Sequence, residues 1–381
     1  MLANIMRFCF YVSFALLVIP YIFYPIILAI LAAFRSDPVK SMPFSPSVSL
    51  IIPARNEGES LRDKIENSFQ LDYPKDLLQV ILVSDGSTDD TAQVVEEMRR
   101  PGLVFIELQE HRGKVAALNA GVSVATGEIL VFSDAHDFLR PDALKILTSC
   151  FADDSVGCAS GSIRWTGSSE SKMGKGTESY WKYESFLKNK ESALGSILGA
   201  VGTLYACRKE LFPGDVPEEA LLDDFVIPMK ILFRGLRVVF VPDAIAEVKT
   251  SRTPREEFRK KTRTLRGHYQ ALLAFGFLRE SVQHNLVTAL QMLLHKVLPR
   301  LLLPALIVAL TISAVFCFDL LVPRVVLLTQ VSILVIGTIG SVFRSTNRHR
   351  VVQVSVLIAT LIGASFVALW QFVSKRNQYA W

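Results

Sequence analysis

The feature that most restricts the fold is a run of 27 residues without a charge, at 8–34. A helix needs about 20 apolar residues to cross the hydrocarbon core of a bilayer, so this run is long enough to span a membrane. The apolar core of a signal peptide has only ~7–15 residues, which makes the run too long for one. The run therefore predicts a retained N-terminal membrane anchor, within residues 1–43.

Three further apolar stretches lie near the other end of the chain, at 301–322, 325–343 and 351–373. Only Asp319 interrupts the first of them. Each stretch is as long as a membrane-spanning helix, so residues 301–381 are predicted to hold three C-terminal transmembrane helices.

The orientation of these spans is predicted from the loop RSTNRHR at 344–350, which carries three arginines. Short basic loops stay on the cytoplasmic side of a membrane. The charged middle region should then be cytoplasmic too, in a multi-pass protein of the inner or plasma membrane. Four spans would place Lys375 and Arg376 outside, against the same rule. Either one apolar stretch is re-entrant, or the rule is overridden here.

The charge distribution bears on the partners of the protein. The mean hydropathy is +0.35 and the formal net charge only +5, with Lys and Arg clustered at 254–266 and beside the apolar stretches. This pattern suits anionic headgroups or phosphates better than a nucleic-acid groove, so a membrane partner and no nucleic acid are expected. The segment 251–300 is predicted to form amphipathic helices at the membrane interface. The five cysteines show no metal-binding spacing, and no disulfide framework is implied.

The middle region alternates between strand-like and helix-like segments. Short β-branched apolar runs end in polar turns, and segments with helical spacing follow them; the runs start at 47, 78, 103 and 128. Strands that alternate with helices predict an α/β domain with a mostly parallel sheet. In such sheets ligands bind beyond the carboxyl ends of the strands, where these polar turns lie.

The segment HRGKVAALNAG (111–121) adds positive charge to the predicted ligand edge. Arg112 and Lys114 stand at a predicted helix start behind Gly113. The free N–H groups and the positive dipole end at such a start favour a phosphate. One acidic residue at a strand end is commonly a turn former, but several acids and cations on one edge predict a ligand site.

At these residues the chain resembles family 2 glycosyltransferases of the GT-A fold, specifically the membrane-bound bacterial branch that includes polysaccharide synthases. The resemblance covers about 44–270 and rests on IIPARNE, VSDGSTDDT, GKVAALN, SDAHD and LLDDF, which occur in the family's order. It implies a GT-A catalytic domain at 44–250 and a nucleotide sugar as substrate. The implied nucleotide-binding residues are Pro53, Ala54, Arg55, Asn56, Glu57, Asp85, Gly86, Lys114 and Asp134.

The family's D-x-D motif falls on Asp134-Ala135-His136, where histidine replaces the second acid. The resemblance implies that Asp134 reaches a divalent cation, Mg²⁺ or Mn²⁺, on the donor diphosphate. His136 is one candidate for the second ligand; Asp137 through a rotated turn and water are the others. Magnesium prefers oxygen ligands, whereas manganese tolerates imidazole better. Alternatively, His136 borders the sugar.

The resemblance also implies where sugar and acceptor bind. Ala135, Gly202 and Thr203 would line the donor sugar and the acceptor entry. LLDDF matches the family's acidic ED motif, with Asp223 in the first place and Asp224 in the second. Inverting transfer needs a carboxylate to take the acceptor hydroxyl proton, and Asp224 is our choice for that base. The alternative is that Asp224 caps a helix beginning near Phe225.

The family's Q-x-x-R-W motif falls on residues 260–264, where only Arg263 is retained. The missing tryptophan would hold the growing polymer in processive synthases, so the sequence departs from the processive pattern. Arg263 and Arg266 are predicted to pair with the diphosphate, or to face solvent and headgroups. The segment at 180–192 is predicted to be an amphipathic helix near the membrane, with Trp181 and Tyr183 as interface anchors.

These observations predict a membrane-anchored inverting glycosyltransferase. It would move a sugar, expected to be UDP-linked, to a lipid-linked or polysaccharide acceptor in envelope or exopolysaccharide synthesis. Three alternatives remain open: a processive synthase that exports its polymer, a nucleotidyltransferase, and a non-catalytic scaffold or transport subunit that binds nucleotide sugar. The first strand leads into PARNE and not into a glycine-rich loop, which disfavours the nucleotidyltransferase.

Overall fold

A computed structural model of the chain describes residues 1–166, 174–214, 216–249, 254–342 and 350–374. These residues form two compact units. The sheet unit comprises residues 31–166, 183–214 and 216–249, and the helical unit holds the remaining described residues. Arg344 and Arg348 of the loop at 344–350, together with Lys375 and Arg376, lie outside the described residues. The predicted orientation of the chain in the membrane therefore stays a prediction.

The sheet unit is built on a single sheet of eight strands among the described residues. In chain order they are β1 (Val48–Ala54), β2 (Leu78–Asp85), β3 (Leu103–Leu108), β4 (Ile129–Phe132), β5 (Phe138–Leu139), β6 (Val156–Thr166), β7 (Tyr205–Arg208) and β8 (Arg237–Lys249).

The strands are ordered β3-β2-β1-β4-β7-β6-β8-β5 across the sheet. The first four are mutually parallel, β7 is antiparallel to both of its neighbours, β6 is parallel to β8, and β5 is antiparallel to β8. The predicted α/β class with a mostly parallel sheet is confirmed. Because β1, β2 and β4 run in the same direction, their carboxyl ends lie at one edge, and the start of the antiparallel β7 lies there too.

The α-helices in the described ranges follow in chain order. They are α1 (Leu2–Val18), α2 (Phe23–Phe34), α3 (Gly58–Phe69), α4 (Thr91–Glu97), α5 (Lys114–Val124), α6 (Ala143–Ser149), α7 (Gly174–Ala193), α8 (Asp223–Phe233), α9 (Pro254–Tyr269), α10 (Phe277–His284), α11 (Leu286–Gln291), α12 (Leu303–Phe316), α13 (Leu321–Val342) and α14 (Arg350–Val373). Two π-helical stretches, Gln270–Ala274 and Met292–Leu301, join helices of the helical unit.

The core of the sheet unit lies against the parallel strands. Every residue of β1 is buried, which explains its continuous apolar run. Helix α3 packs Leu61 and Ile65 into the same core, and full burial of such a side chain contributes about 1.5–3 kcal/mol. In the antiparallel part, Cys158 of β6 and Cys207 of β7 are register partners and are both free and buried.

The helical unit departs from the predicted pattern of spans at two places. The uncharged run at 8–34 is not one straight helix, because α1 and α2 meet at a 45° bend around Pro20, a residue without a backbone N–H. The stretch Leu286–Leu301 likewise meets α12 at 65°. Two described helices are long and apolar enough to cross a membrane, Leu321–Ser341 and Val351–Val373. There are up to four spans if each bent pair is one.

Helix α9 is part of the segment 251–300, which was predicted to form amphipathic helices. Leu265 and Tyr269 are buried with Ala364 and Ala368 of α14, whereas the basic side chains at 255, 259 and 260 are exposed. The helix therefore has an apolar face and a basic face, as its sequence predicts.

Candidate active site

The loops that follow β1 and β2 are joined to each other by hydrogen bonds. The backbone N–H of Asn56 donates to Ser87 Oγ at 3.1 Å, and Asn56 Oδ1 accepts from the N–H of Thr88 at 2.8 Å. Asn56 has a φ of 53°, a left-handed conformation that asparagine tolerates. The segment PARNE (53–57), whose first two residues Pro53 and Ala54 are buried, is thereby attached to the loop that follows β2.

Asp85 ends β2 and is fully buried. Its carboxylate accepts from the backbone N–H of Arg112 at 2.8 Å and of Gly113 at 2.9 Å, and His111 Nδ1 lies 2.7 Å away. Gly86 makes this approach possible: its φ is 61°, and a Cβ there would lie 2.5 Å from His111 N. Asp85 therefore orders the segment that leads into α5. Its predicted contact with the nucleobase stays a prediction.

Lys114 is the first residue of α5 and links the acids of two motifs. Its Nζ lies 2.8 Å from Asp134 Oδ1 and 3.2 Å from Asp223 Oδ1. Burial acts to lower the pKa of Lys114, but the charges of Asp134 and Asp223 outweigh burial and hold the pKa above its ordinary value. The side chain is thus a fixed ammonium between the carboxylates.

Asp223 is held in place from two sides. Besides Lys114, the buried hydroxyl of Tyr205 donates to Asp223 Oδ2 at 2.8 Å. The ring of Tyr205 stacks on Phe132, the last residue of β4, with 4.7 Å between centroids. Burial and the Asp223 carboxylate raise the pKa of Tyr205 well above its ordinary value. Both Asp223 oxygens are therefore occupied by donors that keep their protons.

Asp224 differs from its neighbour in exposure and charge. The helix begins at Asp223 with Leu222 as its N-cap, so the alternative in which Asp224 caps a helix from Phe225 is wrong. Asp224 is partly exposed. Burial and the Asp223 carboxylate raise the pKa of Asp224 to about 6, against the lowering effect of Lys114 and Lys188. A carboxylate with such a pKa can accept a proton near neutral pH.

The segment Gly199–Thr203 packs against the start of α8. The N–H of Ala200 donates to the backbone oxygen of Asp224 at 2.6 Å. A Cβ at Gly202 would lie only 2.9 Å from Asp224 Oδ2, so glycine leaves room beside this carboxylate. Thr203 Oγ1 is buried without a hydrogen-bond partner among the described residues. The structure thus brings Gly202, a predicted sugar-site residue, to the predicted base.

Three side chains at the end of β4 could hold a cation. Asp134, His136 and Asp137 each offer a ligand atom, and these atoms all lie within 4.8 Å of one another. His136 Nδ1 is 3.4 Å from Glu57 Oε1, and this contact raises the pKa of His136. The donor set, two carboxylates and an imidazole, fits a divalent cation such as Mn²⁺. Ala135, inside this turn, is buried.

Three residues that the sequence analysis did not select adjoin the site. Tyr205 binds Asp223, and Lys188 donates to the oxygen of Ala200 at 3.2 Å. Lys64 is buried below the Asp134 turn, where burial lowers its pKa to about 8 against the charges of Asp137 and Asp134. A signal existed for Lys64, because it lies on the apolar stripe of α3 between Leu61 and Ile65.

The structure does not place every predicted site residue in this cluster. Arg263 and Arg266 belong to α9 in the helical unit, so their predicted pairing with the diphosphate stays a prediction. Helix α7 was predicted to be an amphipathic helix at the membrane interface. Its residues Glu184 and Lys188 belong to the sheet unit and are buried although they are polar, so the buried side of α7 is not a purely apolar face. Asp85, Lys114, Asp134, Asp223 and Asp224 are linked by the contacts given above.

Comparison with known proteins identifies the domain. The family model described as "Glycosyl transferase family 2" matches residues 49–213. A poly-beta-1,6-N-acetyl-D-glucosamine synthase of Staphylococcus aureus (strain COL) is 26% identical over 231 residues, which is 59% of this chain and 55% of the relative. "Probable glycosyltransferase YdaM" of Bacillus subtilis (strain 168) is 26% identical over 250 residues, 62% of this chain and 58% of the relative. The chain spans about half the length of the curated relatives it matches.

A solved structure supports the same assignment at the level of the fold. The mannosyltransferase PcManGT of Pyrobaculum calidifontis, in complex with GDP-Man and Mn²⁺, is 22% identical to this chain, and the superposition covers 99% of this chain and 100% of that one with a TM-score of 0.72. The sheet is thus of the GT-A type, as the resemblance implied. Residues 49–213 form a glycosyltransferase domain that belongs to glycosyl transferase family 2.

Proposed function

We propose that the chain is a membrane-anchored inverting glycosyltransferase that transfers a sugar from a nucleotide diphosphate donor to a lipid-linked or polysaccharide acceptor. One observation carries the proposal. Asp224, with a pKa raised to about 6, lies close to the backbone of Gly202 and adjoins the charged group formed by Lys114, Asp134 and Asp223. A candidate base and a fixed cation thus occur together, next to a predicted sugar-site residue.

In the proposed reaction the acceptor hydroxyl gives its proton to the Asp224 carboxylate. The hydroxyl oxygen forms a bond to the anomeric carbon of the donor sugar as the bond from that carbon to the diphosphate oxygen breaks. Negative charge then develops on the departing nucleoside diphosphate. The Lys114 ammonium, which the carboxylates keep protonated, offsets part of this charge, and pre-oriented cations of this kind stabilise transition states strongly.

A divalent cation would be held by Asp134 together with His136, Asp137 or water. When bound, it supplies Lewis-acid stabilisation of the leaving diphosphate. The Lys114 ammonium also contacts Asp134 at 2.8 Å and orients its carboxylate. Mg²⁺ and Mn²⁺ are both compatible with the carboxylates, and PcManGT is named in complex with Mn²⁺.

The acceptor and the location are supported by the relatives and by composition. Several relatives are named poly-beta-1,6-N-acetyl-D-glucosamine synthases, so a glycan acceptor in envelope or exopolysaccharide synthesis is proposed, with a UDP-sugar as donor. The apolar helices α13 and α14 support anchoring in the cell membrane. A cytoplasmic position of the catalytic domain is proposed from the basic loop in the sequence at 344–350. Arg263 and Arg266 on α9 are proposed to meet phosphates of the donor or acceptor.

A processive synthase is the second candidate, and the names of the relatives favour it. Against it stands the segment at 260–264, where the residues KKTRT replace the family's Q-x-x-R-W. A non-catalytic nucleotide-sugar scaffold would not need a base with a raised pKa at Asp224.

The test is to purify the full chain in detergent and to measure nucleoside diphosphate release with a panel of UDP- and GDP-sugars, with Mg²⁺ or Mn²⁺. The Asp224→Asn variant should lose about 10²–10⁴-fold in transfer rate, because general base catalysis is removed. Its nucleotide affinity, measured by calorimetry, should stay close to that of the original chain.

The matched control is Asp154→Asn, the same substitution at a fully exposed acid of the sheet unit. It should leave the rate unchanged. If Asp224→Asn transfers sugar at the rate of this control, Asp224 is not the base. If the unmodified chain binds the nucleotide but turns over no donor on the panel, the scaffold alternative is favoured.

A further inference from the structure

Lys64 lies in an unusual place for a charged side chain. It lies in the second turn of α3 and is completely buried, together with Leu61, Ile65 and Ser68 of the same helix. A buried ammonium is costly unless it has a counter-charge and hydrogen-bond acceptors. The surroundings of Lys64 therefore have to supply both.

The partners of Lys64 lie at the two ends of the turn that carries the candidate metal ligands. Its Nζ donates to Ser133 Oγ at 2.7 Å and to the backbone oxygen of Asp137 at 2.5 Å. Ser133 directly precedes Asp134, and the N–H of Asp137 lies 3.4 Å from the oxygen of Asp134. One ammonium thus ties together the start and the end of the turn 133–137.

A residue on the next turn of α3, Asn67, also binds the segment after β4. Asn67 Nδ2 donates to the backbone oxygen of Leu139 at 2.8 Å, and Asn67 Oδ1 accepts from the N–H of Leu139 at 2.8 Å. Residues 64 and 67 lie on one side of the helix, since they are three positions apart. Helix α3 therefore holds the whole segment from Ser133 to Leu139.

The ionisable side chains of the turn differ in their exposure to solvent. The Asp137 side chain is 1% exposed and interacts electrostatically with Lys64. Those of Asp134 and His136 are 23% and 52% exposed, respectively. The Asp137 carboxylate is 3.8 Å from His136 Nε2, so it also borders the imidazole. A buried carboxylate beside a buried ammonium has the counter-charge that it needs, without a metal ion.

We propose that Lys64 is a positioning residue for the metal-binding turn, and that Asp137 is its buried counter-charge and not a metal ligand. The inference rests on the proposed function. The divalent cation would then be held by Asp134 and His136 with water. Because one ligand is an imidazole, Mn²⁺ should bind more tightly than Mg²⁺.

The pairing is tested by a double-mutant cycle on the full chain in detergent, with Lys64→Met, Asp137→Asn and the double variant. Lys64→Met leaves a buried carboxylate uncompensated and should lower Tm by about 10 °C. The double variant, with neither charge, should regain at least half of this loss. The matched control is Lys145→Met with Asp72→Asn, an exposed pair 3.4 Å apart in the same unit, where the effects should add.

The ligand assignment is tested by Mn²⁺ titration followed by electron paramagnetic resonance, which needs no turnover. Asp137→Asn should bind Mn²⁺ within about threefold of the original chain, because Lys64 still holds the turn through Ser133 and the backbone oxygen of residue 137. Lys64→Met, which releases the turn, and Asp134→Ala and His136→Ala, which remove ligands, should each lose about tenfold or more. A loss in Asp137→Asn equal to that in Asp134→Ala would make Asp137 a ligand, and unchanged Mn²⁺ affinity in Lys64→Met would refute the positioning role; either result overturns the proposal.

The pairing is also refuted if the two changes in Tm simply add, or if the double variant fails to fold while Asp137→Asn alone folds. Failure of the proposed function has a different signature. In that case the unmodified chain releases no nucleoside diphosphate from any donor on the panel, whereas the thermal cycle and the Mn²⁺ titration still give their results.

Discussion

The end of β2 and the start of α8 both present acids to the candidate site, but their surroundings differ. Asp85 is fully buried and receives two backbone N–H groups and the ring of His111. Asp224 is partly exposed and adjoins another carboxylate, which with burial raises its pKa to about 6. Hydrogen-bond donors around a carboxylate hold it and the donor segment in place. A second carboxylate nearby instead raises its pKa, so that it can accept a proton near neutral pH.

The largest effect is expected when the cation between the acids is removed. Lys114→Met should lower the transfer rate by about 100-fold or more, because it removes the charge that offsets the leaving diphosphate. It should also shift the midpoint of the pH–rate profile upward, since Lys114 lowers the pKa of Asp224. Steady-state rates between pH 5 and 8 measure both effects. Lys145→Met, on an exposed lysine, is the control and should change neither.

The pH dependence of the transfer rate of the unmodified chain tests the role of Asp224 as the base. A general base must be deprotonated to act, so the transfer rate should reach a plateau above about pH 6 and fall about tenfold per pH unit below it. The measurement is the rate at saturating donor and cation, with donor binding checked at each pH. A rate that stays constant from pH 7 down to pH 4.5 would contradict the assignment of Asp224.

Asp85→Asn tests the other half of the comparison. The two carboxylate oxygens of Asp85 each accept a backbone hydrogen bond, from Arg112 and from Gly113, whereas an asparagine amide accepts only through its one oxygen. One of these bonds is therefore lost, the segment 111–113 should loosen, and the free energy of unfolding should fall by about 1–3 kcal/mol. The donor KM should rise about tenfold, with a smaller effect on kcat. Donor KM and chemical denaturation measure the two changes. An unchanged KM together with lost kcat would mean that Asp85 acts on the reaction itself.

The smallest effect expected is a gain in stability from Asp224→Asn. The folded pKa of about 6 lies above the unfolded value near 3.8, so ionisation of Asp224 costs stability as pH rises through this interval. At pH 7 the variant should be more stable by about 1–2 kcal/mol, and the difference should vanish below about pH 4. Thermal unfolding at pH 4 and 7 checks this; Asp154→Asn should show no such pH dependence.

The local parts of the fold were accessible from the sequence, and the non-local parts were not. The β-branched runs of β1 to β4 and the apolar stripe of α3 are properties of short segments, and the structure confirms them. The pairing of β7 between β4 and β6 depends on residues far apart in the chain, which no local pattern encodes. Pro20 was visible, but the length of the uncharged run suggested one span, not two bent helices.

The same distinction applies to the site. Strand ends and a predicted helix start brought Asp85, Lys114 and Asp134 into the candidate set, and the resemblance to family 2 glycosyltransferases added Asp224. Tyr205 and Lys188 were missed, since their role follows from contacts with Asp223 and with the backbone of Ala200, which only the folded chain defines. The roles of all these residues remain predictions until the variants are measured.

The buried thiols in the antiparallel half of the sheet have a practical consequence. Burial raises the pKa of the thiols of Cys158 on β6 and Cys207 on β7. Since only the thiolate reacts with alkylating reagents, these two sulfurs should resist labelling until β6 and β7 separate. The rate of their modification, measured by mass spectrometry, would then report how often this half of the sheet opens, without a labelling site having to be introduced.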